Sequence, residues 1–252
     1  MCPAGCWLAR NCYHITCGGS GNELWAAWYG GDSQREQYSL YTSRWIGSQW
    51  TSETRVDTLV TSSQWFVDIA VDSNGTAHVV WEDLAPFRVY YSNNGSGEWS
   101  EPFEISTAQI LGAGWAAPSI VVGPGSSLHL AWVGTEATGE TVSDWDIYYS
   151  VFDGTSWRYP IRMSGDDSEK DLYPEIIVSR ANKVWISWNK ELAFWDYRIF
   201  GRHYDGKAWG PEVRLDDDTY EYDDSPEVAI SHSDEAWCGV KPILSGNFAT
   251  HG

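Results

Sequence analysis

The chain has 252 residues, a formal net charge of −19 at pH 7 and 42% hydrophobic residues, among them 17 tryptophans. The excess of acidic residues argues against a nucleic-acid partner, because binding to phosphates requires a basic face. The apolar content is sufficient for a folded core, and no run of about 18 apolar residues is present, which excludes a transmembrane helix.

Short runs of alternating apolar residues that end in Trp recur along the chain, about fifty residues apart. The first series consists of NELWAAW, TAHVVW, SLHLAW and NKVWISW, which end at Trp28, Trp81, Trp132 and Trp188. A second series follows these runs in turn and ends at Trp50, Trp99, Trp157 and Trp209. Two Trp series that keep one period indicate a structural repeat, in which wide indole rings fill the space between neighbouring units.

Each repeat contains four short β-rich runs. The first run is CYHITC, FVDIAV, PSIVV or PEIIV, the second ends at the first-series Trp, and the other two lie on either side of the second-series Trp. Turn formers such as Gly18 and Gly19, or Asn74 and Gly75, separate the first run from the second. No segment has the i, i+3, i+4 spacing of a long helix. Four short strands at this period predict the blade of a β-propeller.

We therefore predict a single all-β domain, a β-propeller of four-stranded antiparallel blades, with five blades. The blades are expected at about residues 12–57, 64–106, 115–164 and 172–215, with a partial fifth blade at 225–252 that is closed with the N-terminus. Closure of this kind removes exposed strand edges. The alternative is an incomplete part of a larger propeller, which would have to self-associate.

The units HVVWED…RVYYSNNGSGEWSEPFEIS and LHLAWV…DIYYSVFDGTSWRYPIRMS resemble the bacterial neuraminidase (Asp-box) repeats of sialidase-like propellers. The box-like turns lie at residues 153–157 and 205–209, with a degenerate copy at 94–99. The resemblance implies a fold element between the third and fourth strands of a blade. It also implies an extracellular or periplasmic location, although MCPAGCWLAR lacks the pattern of a secretory signal. Sialidase activity is not expected, because the early Phe-Arg-Ile-Pro motif that supplies one of that family's substrate-binding arginines is absent.

Two of the loops between predicted blades, residues 165–171 and 216–224, are strongly acidic. One interpretation is that they form a solvated surface. A second is a Ca²⁺ site, because hard cations bind several carboxylate and carbonyl oxygens together. The candidate ligands for Ca²⁺ are Asp216, Asp217, Asp218, Asp223 and Asp224.

A third interpretation is catalysis by carboxylates from different repeats. Asp68, Glu175 and Glu227 occupy the same position in the first strand of their repeats, where Ser119 stands in the third repeat. Carboxylates that converge on the axis could supply an acid and a base, because like charges held close together raise one pKa. The alternative is that they are elements of the repeat that bind loop amides or channel water.

Aromatic residues outside the two Trp series are candidates for stacking on a sugar ring. They are Trp65, Trp115, Trp145, Tyr173, Trp195 and Tyr222. The sequence thus favours a non-catalytic propeller that binds a glycan or another partner through an acidic, aromatic-lined face. The alternatives are a glycoside hydrolase that uses Asp68, Glu175 and Glu227, and a structural or protein-partner scaffold.

Overall fold

In the part of the chain that the structure describes, five β-sheets follow one another. The computed structural model describes residues 11–20, 23–31, 38–58, 64–83, 87–105, 110–112, 116–136, 144–193, 196–216, 228–231, 236–238 and 241–243. Four sheets have four strands in chain order, as the repeats predicted, and the third of these has an additional strand beside them. The predicted fold class, an all-β propeller of four-stranded antiparallel blades, is confirmed.

The strands of the first two sheets are β1 (Asn11–Ser20), β2 (Glu23–Gly31), β3 (Ser39–Trp45), β4 (Thr54–Arg55), β5 (Gln64–Val71), β6 (Ala77–Asp83), β7 (Arg88–Asn93) and β8 (Phe103–Glu104). The third sheet contains β9 (Ile110–Gly112), β10 (Ser119–Val122), β11 (Leu128–Glu136), β12 (Asp146–Phe152) and β13 (Ile161–Arg162). The fourth contains β14 (Lys170–Val178), β15 (Val184–Ala193), β16 (Asp196–Tyr204) and β17 (Val213–Arg214). The fifth contains β18 (Val228–Ile230), β19 (Ala236–Cys238) and β20 (Lys241–Ile243). The helix found in the described ranges, the 3-10 turn Pro124–Ser126, is far too short to cross a membrane.

The chain divides into two compact units, each with its own core. The first unit comprises Met1–Thr107 and Gly114–Ile120, and the second comprises Ala108–Ala113 and Val121–Gly252. Trp28 and Trp81 are buried in the first unit, and Trp132 and Trp188 in the second, all with at most 1% of their surface exposed. This burial agrees with the packing role predicted for the first Trp series.

The first strands of the second and fourth sheets each have a bulge near their start. Phe66 in β5, Ala117 before β10 and Tyr173 in β14 all have a positive φ, at 42°, 36° and 51°. The pairing with the next strand slips at Phe66 and again in β14 just before Glu175. The predicted carboxylates Asp68 and Glu175 lie just after these bulges, where regular pairing resumes. A bulge changes the direction of the side chains that follow it.

Two features differ from the repeat pattern. Gly18 and Gly19 lie inside β1 rather than in a turn. Gly18 suits this place because β1 approaches β5 so closely that a Cβ on Gly18 would lie 2.5 Å from the carbonyl oxygen of Ile69. The short strand β9, which the repeats did not predict, pairs with the end of β11. Residues 1–10 and 244–252, from the two ends that were predicted to complete the fifth blade, lie outside the described residues.

Candidate functional site

The carboxylate of Asp68 ties three strands of the first unit together. Its Oδ1 accepts hydrogen bonds from Thr16 Oγ1 at 3.0 Å and from the Ile69 amide at 2.8 Å. Its Oδ2 accepts the amide of Ile120 at 2.8 Å. Burial raises the pKa of Asp68 to about 6, although these bonds and one to Ser119 act in the opposite direction. Both carboxylate oxygens thus have a structural task, which supports the alternative that this position is an element of the repeat.

We expect Asp68→Asn to lower the free energy of unfolding by about 1–3 kcal/mol at pH 7, because the new amide group would face an N–H donor. In the wild type, the pKa of about 6 lies above the ordinary aspartate pKa of 3.8. The folded state therefore binds more protons than the unfolded state between these values, and the contribution of Asp68 to stability falls as pH rises through 6. Urea unfolding between pH 4 and pH 7 should show a steeper decrease of stability with pH in the wild type than in Asp68→Asn. The exposed Glu101→Gln is the matched control, and equal stability of Asp68→Asn and the wild type would contradict the tether.

The other two predicted catalytic carboxylates are placed differently. Glu175 is exposed on β14, opposite Ser187 of β15, in the second unit. Glu227 lies outside the described residues. The catalytic use of Asp68, Glu175 and Glu227 therefore stays a prediction.

Three of the six predicted aromatic ligands lie in the described ranges. Trp65 is half-buried and stacks on Tyr29, with ring centroids 6.5 Å apart and an angle of 13°. Trp145 is half-buried beneath the Lys170 ammonium group, which lies 5.3 Å from the ring centroid. Tyr173 is the half-buried bulge residue of β14. Trp115, Trp195 and Tyr222 lie outside the described residues.

The acidic loop at residues 165–171 is neutralised locally by a buried lysine. Nζ of Lys190 lies 2.7 Å from Asp167 Oδ2 and 2.7 Å from Glu212 Oε1, and 3.9 Å from Asp171 Oδ1. Burial lowers the pKa of Lys190, but the hydrogen bonds to Asp167 and Glu212 outweigh it and hold that pKa above its usual range. We name this part of the second unit, with residues 165–171, Trp145 and Lys190, the loop end. Much of its charge is paired internally.

Asp171 is the most deeply buried carboxylate of the loop end, with no exposed surface. Its Oδ1 accepts the indole N–H of Trp188 at 2.6 Å. Burial raises the pKa of Asp171 to about 8, and the nearby Lys190 ammonium group acts in the opposite direction. Asp171 thus links the core of the second unit, through Trp188, to the ion pairs of Lys190.

Of the five predicted Ca²⁺ ligands, only Asp216 lies in the described part of the chain. Its two carboxylate oxygens bind the guanidinium of Arg214 at 2.6 and 3.0 Å, and Arg198 lies 3.8 Å away. The described ranges contain no group of three or more His, Cys, Asp or Glu side chains arranged to hold a metal ion. Asp217, Asp218, Asp223 and Asp224 lie outside those ranges, so the Ca²⁺ site stays a prediction.

An open cleft of about 650 Å³ lies in the second unit, at the end of sheets three and four that is opposite to the loop end. Turns between strands form its wall, and we name it the turn cleft. Its aromatic lining consists of Tyr149, Tyr159, Tyr204 and Trp209. Its polar lining consists of Ser127, His129, Ser150, Asp153, Arg158 and Asn182. The repeat pattern did not indicate this site, because the turns after β12 and β16 resemble the fold elements of Asp-box repeats.

A chain of hydrogen bonds closes the floor of the turn cleft. Nε2 of His129 lies 3.0 Å from Ser127 Oγ, and its Nδ1 lies 2.7 Å from the hydroxyl of Tyr149. Burial lowers the pKa of His129 to about 4, so the ring is neutral at pH 7. The first unit repeats the His–Tyr pair as His78 and Tyr91, 2.8 Å apart. This repetition favours a structural role for the pair over a catalytic one.

Trp209 packs across the turn cleft from the fourth sheet to the third. Its ring centroid lies 5.1 Å from that of Tyr149 and 5.5 Å from that of Tyr204. The corresponding Trp99 contacts Trp25 of the preceding sheet in the first unit, at 5.8 Å. Trp99 and Trp209 of the second Trp series therefore join neighbouring sheets, and Trp209 is a wall of the cleft.

No protein-family model and no curated protein matches the chain. Among solved structures, a protein of unknown function from Dyadobacter fermentans DSM 18053 is similar over 90% of this chain and 74% of its own, with a TM-score of 0.66 and 9% identity. An ulvan lyase from a new polysaccharide lyase family is similar over 85% of this chain and 60% of its own, with a TM-score of 0.60 and 10% identity. A Trypanosoma rangeli sialidase is similar over 82% of this chain and 38% of its own, with a TM-score of 0.54 and 12% identity. At these identities the chain shares the fold of these proteins, which places it in the propeller class.

Proposed function

We propose that this propeller binds a glycan in the turn cleft without converting it. The observation that carries the proposal is the combination of a volume of about 650 Å³ with a mixed aromatic and polar lining. Sites for small molecules usually measure about 300–1,000 Å³ and combine apolar walls with a few placed polar groups. Aromatic rings that face the cleft offer a surface for the C–H faces of a sugar, and neighbouring polar groups can bind its hydroxyls.

Two structural neighbours support a glycan as the ligand. The ulvan lyase structure contains a bound GlcA(1-4)Rha3S glycan, and a related sialidase structure contains sialic acid. The fold of this chain therefore occurs in proteins with glycan ligands.

The acidic, aromatic-lined loop end is the location that the sequence favoured, and it supplies a second contact region in this proposal. Trp145 there is half-buried and already covered by Lys170. Lys190 and its carboxylates are hydrogen-bonded to each other. The turn cleft offers more solvent-exposed aromatic surface, because 65% of the surface of Tyr159 is open to solvent. We therefore assign the principal site to the turn cleft.

A glycan array that includes neutral, uronate-containing and sulfated glycans tests the proposal, followed by titration calorimetry with each hit. We expect binding without turnover, and Tyr159→Ala should weaken it about tenfold at an unchanged melting temperature, which corresponds to about 1.4 kcal/mol. Phe103→Ala, which removes another ring that is 54% exposed, is the matched control and should have no effect. A loss of binding in Trp145→Ala alone would move the site to the loop end.

Two outcomes would contradict the proposal in favour of the alternatives. No binding of any glycan at millimolar concentration would support a structural or protein-partner scaffold. Hydrolysis of aryl glycosides that Glu175→Gln abolishes would support a glycoside hydrolase.

A further inference from the structure

The turn that contributes Arg158 and Tyr159 to the cleft has the same backbone geometry as turns in the other sheets. The amide of Arg158 donates to the Val151 carbonyl at 2.9 Å, and the corresponding residues Thr51, Ser100 and Gly210 donate to the corresponding carbonyls at 2.8 Å. The carbonyl of Arg158 accepts a hydrogen bond from Ser150 Oγ at 2.6 Å, as those of Thr51 and Ser100 do from their own sheets' serines. The fold therefore gives this turn the same backbone hydrogen bond in four sheets, although a different residue occupies the position in each.

The side chains at this position are not dictated by the repeat. Directly after the second-series Trp, the sequence reads Thr51-Ser52, Ser100-Glu101, Arg158-Tyr159 and Gly210-Pro211. Only the third repeat places a guanidinium and an aromatic ring there, and both line the turn cleft. Tyr159 is 65% exposed, and the side chain of Arg158 is 70% exposed. Exposed side chains that depart from the repeat and meet in a cleft are better explained by a ligand than by packing.

Arg158 is the cationic group of the turn cleft, whose lining residues all belong to the described part of the chain. The other basic side chain of the lining, His129, is held neutral by burial, which lowers its pKa to about 4. Nε of Arg158 lies 3.9 Å from Asp153 Oδ2, which is beyond hydrogen-bond distance.

Asp153 is engaged by its own turn. Its Oδ1 accepts the amides of Thr155 at 3.1 Å and Ser156 at 3.2 Å, and these bonds hold its pKa below the usual range. The carboxylate therefore stabilises the turn without making a hydrogen-bonded pair with Arg158. The guanidinium keeps its paired N–H donors for an incoming group.

We propose that the turn cleft selects acidic saccharides, with Arg158 binding the carboxylate of a uronate through paired hydrogen bonds and Tyr159 lying against the sugar ring. This inference rests on the proposed function and names its ligand class. A guanidinium presents N–H donors in a planar fork that matches a carboxylate, whereas a hydroxymethyl group offers no charge to it. The net charge of −19 does not prevent binding at contact distance, because charges farther than about 8 Å are largely screened at physiological ionic strength.

Titration calorimetry with three matched pairs of probes tests the inference. The pairs are the methyl glycosides of glucuronate and glucose, of galacturonate and galactose, and of mannuronate and mannose. We expect at least one uronate to bind about tenfold more tightly than its neutral partner at low salt. The neutral partner makes only a neutral contact where the uronate makes a charge-assisted hydrogen bond to Arg158. The preference should narrow as salt is added.

Arg158→Gln should lower the affinity for that uronate to the level of the neutral sugar and leave the affinity for the neutral sugar unchanged. Arg180→Gln, which removes an exposed guanidinium from the turn between β14 and β15, is the matched control for net charge. An equal effect of the two variants would reduce the role of Arg158 to long-range attraction and overturn the inference.

The remaining outcomes separate the two proposals. If wild type and Arg158→Gln bind a uronate and its neutral partner equally, the acidic preference fails and glycan binding stands. If none of the six probes binds at millimolar concentration and the array gives no hit, the turn cleft is not a saccharide site and both fail.

Discussion

Trp188→Ala should lower the free energy of unfolding by about 3–5 kcal/mol, the range for truncating a large buried aromatic residue. Trp188 has no exposed surface and belongs to the main apolar cluster of the second unit, together with Val133 and Ile186. Its truncation also removes the indole N–H that Asp171 binds at 2.6 Å, which leaves a buried carboxylate oxygen without that donor.

Urea unfolding of three variants separates the packing contribution from the hydrogen bond. Trp188→Phe keeps most of the apolar volume and lacks the N–H, so its free energy of unfolding should lie between those of the wild type and Trp188→Ala. Phe103→Ala truncates a ring that is 54% exposed and should change stability by no more than about 0.5 kcal/mol. A loss below about 1 kcal/mol in Trp188→Ala would mean that this Trp does not support the core.

Lys190→Met is the second substitution with a large expected effect, a loss of about 3–5 kcal/mol at pH 7. The ammonium group is buried and pairs with Asp167 and Glu212, and it lies near the buried Asp171. Its removal leaves the carboxylates of Asp167 and Glu212 without their cation, and the buried carboxyl group of Asp171 without the ammonium group beside it. Lys170→Met is the matched control, because Lys170 is 45% exposed and lies 3.7 Å from Glu191. The control should cost no more than about 1 kcal/mol.

The pH dependence distinguishes electrostatics from lost packing in Lys190→Met. Without the ammonium group, the folded-state pKa of Asp171 should rise further above that of the unfolded chain. Above about pH 8, Asp171 loses its proton in the folded wild type but keeps it in the folded variant, so only the variant continues to lose stability as pH rises. Urea unfolding should show a larger penalty at pH 9 than at pH 7. A penalty that is independent of pH would contradict the electrostatic explanation.

The fold could be predicted from the sequence because its packing is periodic. Each first-series Trp occupies the same position in its sheet, so one burial requirement is repeated in the chain and becomes visible without an alignment. Strand β9 has no such copy, which is why the repeats did not indicate it.

The candidate site was predicted less well, because its contacts join residues that are far apart in the chain. Residues 165–171 are acidic in the sequence, whereas Lys190, which neutralises them, is contributed by β15. The turn cleft likewise combines turns from two sheets. One signal was present in the sequence: Arg158 and Tyr159 depart from the residues that follow the other second-series tryptophans. That departure could have marked the site.

The outermost strands β4, β8, β13 and β17 are each two residues long. A strand of this length exposes very few unpaired backbone N–H and C=O groups along the edge of its sheet. A chain rich in β-structure can add strands from a neighbouring molecule only where such groups form a continuous row. The short outer strands therefore make these four edges poor templates for amyloid-like growth.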